Sequence, residues 1–113
     1  MNFELIGAIP SKKNTWKVNK YGKVYQSKQE AIDGLLTQLV AQKREYTNPP
    51  IKTNCMLLLK VYGDNRNDLD NQITSICDLL QKGGVVVNDR LIKRIDAEKF
   101  IDRKTPRAEI SII

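Results

Sequence analysis

The chain has 113 residues, 41% of them hydrophobic and 28% charged, and its net charge is +6. That length suits one domain with a modest core, and no apolar run approaches the ~20 residues of a membrane helix. Histidine is absent, which excludes histidine general bases, Ser-His-Asp triads and histidine-ligated zinc.

In chain order, MNFELIGAIP has neither a basic leader nor a long apolar stretch. It is therefore not read as a secretory signal, and a cytoplasmic setting is expected. NFELIGA is a short strand broken by Pro10-Ser11. TWKVNKYGKVYQ alternates around Tyr21-Gly22 and predicts a small hairpin. The segment from Lys12 to Lys28 contains Lys12, Lys13, Lys17, Lys20, Lys23 and Lys28 and no acid, with Trp16, Tyr21 and Tyr25 between them. Such a surface suits phosphate contact with stacking on bases or sugars. A solvated hairpin with half-buried aromatics accounts for the same residues equally well.

Ser27 and Glu30 form a capping box. After it, Ala31, Ile32, Leu35, Leu36, Leu39 and Val40 make one apolar stripe that ends near Lys43. Pro49 and Pro50 hold a loop. TNCMLLLKVYG is a strong strand, expected at the centre of a sheet. Leu69, Ile73, Ile76, Cys77 and Leu80 predict a second helix, closed by Gly83-Gly84. VVV is a short extended piece and NDR a turn. LIKRIDAEKFI and RAEISII read as strands joined through Asp102 to Pro106. The order βββαβαββ predicts a single α+β domain over residues 1–113, a mixed β-sheet with two main helices packed on it. Cys55 and Cys77 lie in apolar segments and read as buried, reduced thiols.

A basic chain that gathers Asp68, Asp70 and Asp89 around its second helix calls for an explanation. Residues two apart share a side only on an extended segment, so Asp68 and Asp70 converge if the chain stays extended to about Asp70, which then caps the helix. A helix from Asn71 to Lys82 is ~18 Å long. The residues from Gly83 to Asp89 span at most ~23 Å. An antiparallel return would therefore bring Asp89 level with the other two. Three carboxylates in one place repel unless a cation neutralises them, and Mg²⁺ or Mn²⁺ is the natural partner of an all-oxygen site. Without convergence, Asp68 and Asp70 are helix caps and Asp89 is a turn residue.

The block DLDN followed by CDLLQKGGVVVND resembles the RusA family of Holliday junction resolvases. The family pattern is D-L-D-N, a helix carrying D-x-L, and a D-D pair after a short hydrophobic run. The matching positions are Asp68, Leu69, Asp70, Asn71, Asp78, Leu80 and Asp89. The likeness covers nearly the whole chain, including Pro10, Ser11 and Asn14 of a Pro-Ser-x-x-Asn element and the two C-terminal strands. The resemblance implies a homodimeric, Mg²⁺-dependent endonuclease that cuts four-way DNA junctions by paired symmetric nicks, with no organic cofactor and no membrane partner. It makes Asp68, Asp70 and Asp89 metal ligands and catalytic groups, with Asn71, Asp78 and Asn88 around them. The expected DNA contacts are Lys12, Lys13, Asn14, Lys17, Lys20, Lys23, Arg66, Lys82, Arg90, Lys93 and Arg94.

Two positions depart from the family pattern. The first acid of the D-D pair is Asn88, and the family's functional lysine is Thr74. Thr74 cannot stabilise transition-state charge as a lysine would. Lys82, Lys12, Lys13 and Arg66 are the candidate replacements. A junction-binding domain without chemistry, or a basic interaction protein with structural aspartates, are the competing expectations.

Overall fold

The structure, a computed structural model, describes residues 1–11, 16–18, 21, 24–26 and 29–113, with segments 16–18 and 24–26 in backbone only. Its elements are β1 (Asn2–Ile6), β2 (Trp16–Val18), β3 (Val24–Gln26), α1 (Gln29–Lys43), β4 (Cys55–Gly63), α2 (Leu69–Lys82), β5 (Ile92–Ile101) and β6 (Arg107–Ile112). A 3₁₀ turn, Asp89–Leu91, precedes β5. The expected βββαβαββ order and the α+β class are both observed. Ser27 of the capping box lies outside the described residues.

Alternation decides the layers. Phe3 and Leu5 of β1, Leu57, Leu59 and Val61 of β4, and Ala108, Ile110 and Ile112 of β6 are buried and share one face of the sheet. Leu35 and Leu39 of α1 and Ile76, Leu79 and Leu80 of α2 join them in one core. Both helices therefore cover the same face. The opposite face carries Glu4, Glu109, Lys60, Glu98 and Asp96, which surround a depression of about 740 Å³.

The sheet runs β1-β6-β4-β5, so β4 is central as its apolar run predicts. It pairs antiparallel with β6 and parallel with β5. The two C-terminal strands, consecutive in sequence, therefore lie on opposite sides of β4. The connection passes over the end of β4, where the Asp102 amide donates to the Gly63 carbonyl at 2.8 Å. β2 and β3 pair as the expected hairpin. Of the stripe on α1, only Leu35 and Leu39 are fully buried, with Ile32 and Leu36 packed beside them. No helix among the described residues is long and apolar enough to cross a membrane.

The free edge of β1 is closed by side chains rather than by a strand. The Gln38 Oε1 accepts from the Ile6 amide at 2.7 Å, and its Nε2 donates to the Ile6 carbonyl at 2.7 Å. Gln42 does the same for Glu4, at 2.9 and 2.6 Å. The Tyr46 hydroxyl accepts from the Asn2 amide at 2.9 Å and donates to its carbonyl at 3.0 Å. Residues four apart on a helix rise ~6 Å, close to the ~6.6 Å of two strand residues, so one helix stripe matches one strand edge.

Two predictions follow from these contacts. Replacing Gln38 and Gln42 together by alanine returns the Glu4 and Ile6 amides to water. Their hydrogen exchange should accelerate by at least about fivefold, while exchange in β4 is unchanged. The second concerns Asp102, whose carboxyl is lowered to about 2 by the Thr105 hydroxyl and amide and then by Arg107. A folded value below the unfolded ~3.9 gives stability that is present above pH ~4 and lost as pH falls toward the folded value. The Asp102→Asn variant should show a smaller drop in Tm than the parent between about pH 4 and pH 2.

Candidate active site

Residues 8–11 have no regular secondary structure, yet Ile9, Pro10 and Ser11 are buried. Buried carbonyls need donors, and α2 with its preceding loop supplies them. Asn67 Nδ2 and Gln72 Nε2 both donate to the Ile9 carbonyl, at 3.2 and 3.1 Å. Ser75 Oγ donates to the Pro10 carbonyl at 2.7 Å. Gln72 and Ser75 are themselves buried polar residues on α2. These bonds fix the loop that enters α2. Asn65 takes a left-handed backbone, φ 72°, a conformation asparagine tolerates better than most residues. Arg66 folds back onto Asp64, with Nε 2.9 Å from Oδ2.

The expected extended geometry through Asp70 is corrected here. Asp68 is the N-cap residue, with φ −70° and ψ 142°, and the helix begins at Leu69. Leu69 packs against the core, which draws it into the first turn. Asp70 is therefore a first-turn residue rather than the cap, and its Oδ1 accepts from the Asn71 amide at 2.9 Å. The Asp68 side chain makes no capping bond. Carboxylates at this end of a helix are favoured by its dipole, and both are exposed.

Asp89 opens the 3₁₀ turn and is also exposed. Its amide donates to Gln81 Oε1 at 2.9 Å. Burial, followed by the Asp89 charge and then Cys55, pushes the Cys77 thiol up to about 11. These contacts place Asp89 beside the Cys77–Gln81 part of α2. Cys77 lies seven residues beyond Asp70, on the same helix face but ~10 Å further along. The antiparallel return thus occurs, and the Asp89 amide is held at the Gln81 turn of α2. Chain length is used elsewhere, because Val85 and Val86 are buried. The Val87 amide bonds the Ile51 carbonyl, and Val86 bridges Ile51.

Among the described residues no three histidine, cysteine or carboxylate side chains are close enough to hold a metal. The donor chemistry of Asp68, Asp70 and Asp89 fits a hard cation. Their placement within one chain does not form that site, so no catalytic step is derived through a metal.

The neighbouring side chains are largely committed. Thr74 Oγ1 donates back to the Asp70 carbonyl at 3.1 Å. Asn88 Oδ1 caps the 3₁₀ turn by accepting from the Arg90 amide at 2.9 Å. Asn71, half-buried, gives its carbonyl to Ser75 Oγ at 3.2 Å. Asp78 pairs with Lys82 at 3.0 Å. Arg90 and Lys93 are exposed near Asp89 in the chain, and Lys93 is the extra residue of a bulge, since Cys55 faces Ile92 and Met56 faces Arg94. Arg94 shares the open face with Met56, away from the helices. Lys12, Lys13, Asn14, Lys20 and Lys23 lie outside the described residues, as does the side chain of Lys17.

Lys99 is a residue the sequence reading missed. Its Nζ donates to the Asn67 carbonyl at 2.8 Å, one residue before Asp68. With Ile9, Asp64, Asn67, Gln72 and Arg103 it lines a cavity of about 90 Å³. The period of two along β5 places Lys99 on the face of Ala97 and thus toward α2, a signal that was available in the sequence.

The Ser75 anchor gives a measurable consequence. Ser75→Ala leaves the buried Pro10 carbonyl without that donor and should cost about 1–3 kcal/mol in urea unfolding, with m unchanged.

Comparison with curated protein sequences gives no match. Residues 7–113 match the family model described as endodeoxyribonuclease RusA. The match spans the anchored segment, the Asp68–Asp70 helix start and the Asp89 turn, and the chain belongs to the RusA endodeoxyribonuclease family.

Proposed function

We propose that this chain is a Mg²⁺-dependent, structure-selective endonuclease that resolves four-way DNA junctions by paired symmetric nicks, with Mn²⁺ able to replace Mg²⁺. The observation that carries the reading is the family match over residues 7–113. The exposed carboxylates support it. Asp68, Asp70 and Asp89 form no salt bridge among the described residues, in a chain of net charge +6. In this reading their oxygens would be the ligands of the cation, although within one chain the described residues do not form its site. A bound divalent cation supplies Lewis acidity and a more acidic water.

The remaining steps belong to the chain's own residues. The lysines from Lys12 to Lys23, with Arg90 and Lys93, bind the phosphate backbone. The open sheet face, rich in Glu and Asp, repels DNA, so the DNA lies on the helix side. For the family lysine replaced by Thr74, Lys99 is the assigned substitute. Lys82 and Arg66 are held by Asp78 and Asp64, whereas Lys99 already positions the residue before Asp68. Two such subunits, one per cut strand, match the approximate two-fold symmetry of a junction.

Asp70→Asn should abolish nicking in Mg²⁺ and leave junction affinity equal or higher, because it removes one negative charge and is nearly isosteric. Nicking rate and affinity measured at one salt concentration check this. A variant that cuts at the parent rate would make Asp70 a purely structural first-turn residue. Junction binding without cutting by the parent itself would favour a non-catalytic binding domain. Binding should also weaken steeply with salt, and Arg90→Ala should lower the log–log slope by about one. A flat salt dependence would remove the basic surface from the interface.

A further inference from the structure

We infer that the turn between β5 and β6 is a preformed contact for the DNA backbone, in which Arg103 and Lys104 take phosphates of the strand that passes Asp68. The turn is built more tightly than a link between two strands needs. The Asp102 carboxylate accepts from the amides of Lys104 and Thr105, each at 3.2 Å, and from the Thr105 hydroxyl at 2.8 Å. Arg107 closes the turn. Its Nη1 donates to Asp102 Oδ2 at 3.1 Å and to the Thr105 carbonyl at 2.9 Å. Its guanidinium lies over the Tyr62 ring, 3.8 Å from the centroid. A planar guanidinium can serve a carboxylate, a carbonyl and an aromatic face together, so Arg107 is committed to holding the turn.

Arg103 and Lys104 are not. Both are exposed, and neither side chain forms an ion pair or hydrogen bond among the described residues. The neighbouring acids are already neutralised, Asp102 by Arg107 at 3.1 Å and Asp64 by Arg66 at 2.9 Å. Two uncompensated positive charges therefore sit on a backbone that is fixed before a partner arrives, which reduces the ordering cost of binding.

Placement selects the partner. Arg103 lines the cavity of about 90 Å³ together with Asn67 and Lys99. The Lys99 Nζ holds the Asn67 carbonyl, one residue before Asp68. Ile9 and Val61 line the same cavity, so Arg103 reaches the helix side of the sheet, where Asp68 and Asp70 are exposed. The choice of DNA as the polyanion rests on the nuclease reading. A strand lying over Asp68 carries a further charge every ~3.4 Å of axis, and the phosphates beside the cut come to the nearest free cations.

Binding in EDTA to a labelled four-way junction and to linear duplex, across a salt series, tests this apart from cutting. Replacing Arg103 and Lys104 together by glutamine should lower the log–log salt slope by about two. Lys60→Gln, which removes a cation from the open face, should leave the slope unchanged. Asp102→Asn supplies a test of opposite sign. It makes the chain more positive, yet by loosening the turn it should weaken binding at least about threefold. An unchanged slope in the double variant, an equal loss per charge in Lys60→Gln, or tighter binding by Asp102→Asn would overturn the proposal and leave the nuclease reading standing. A parent chain that binds neither DNA would overturn both. A parent that binds with the expected slopes but never nicks in Mg²⁺ would sink the nuclease reading alone.

Discussion

Side-chain amides and hydroxyls that stand in for missing backbone partners hold this fold together. Gln38, Gln42 and Tyr46 present donor–acceptor pairs at helical spacing to the edge of β1. Asn67, Gln72 and Ser75 do the same for the carbonyls of residues 9 and 10. A chain this short has little apolar surface to spare. Backbone left unpaired in its interior would cost about 1–3 kcal/mol per group. Pairing these groups lets an N-terminal segment without regular structure be buried against α2, and that burial fixes the entry of α2.

The site inherits this arrangement. Apolar packing by Ile76, Leu79 and Leu80 fixes α2 in the common core, while Asn67 and Lys99 hold the loop in front of it. Asp68 and Asp70 are left exposed at the helix start. Asp89 is held by a different mechanism, its amide on Gln81 after the buried turn of Val85 and Val86. The two anchors are independent, and no metal-holding group of three carboxylates forms among the described residues. The acids sit on the helix side of the sheet, and the opposite face carries Glu4, Glu98 and Glu109.

Much of this was legible in the residues. The apolar run of β4 announced a central strand, the stripes on α1 and α2 announced amphipathic helices, and Gly83-Gly84 marked the stop of α2. The Asp68, Asp70 and Asp89 block pointed to the endodeoxyribonuclease family that residues 7–113 match. The start of α2 was misplaced because capping preference at Asp70 was weighed without the pull of Leu69 into the core. The chain-length argument for Asp89 bounds reach only and does not register the detour through the Ile51–Val86 bridge. Glutamines 38 and 42 carried no signal at all. Polar residues at helical spacing read as a solvated face until the strand beside them is known. The period of two along β5 signalled the face of Lys99, but its hydrogen bond to the Asn67 carbonyl depends on the loop that β5 passes.

The central claim is that exposed carboxylates on the helix side cut one strand of DNA per subunit at a branch point. Mapping the products of an end-labelled four-way junction with and without Mg²⁺, beside linear duplex of the same sequence, tests it most directly. The account predicts Mg²⁺-dependent nicks at symmetry-related positions in two opposing strands of the junction, and none in the duplex. A junction that is bound but stays intact in Mg²⁺, or duplex cut as readily as junction, would contradict it.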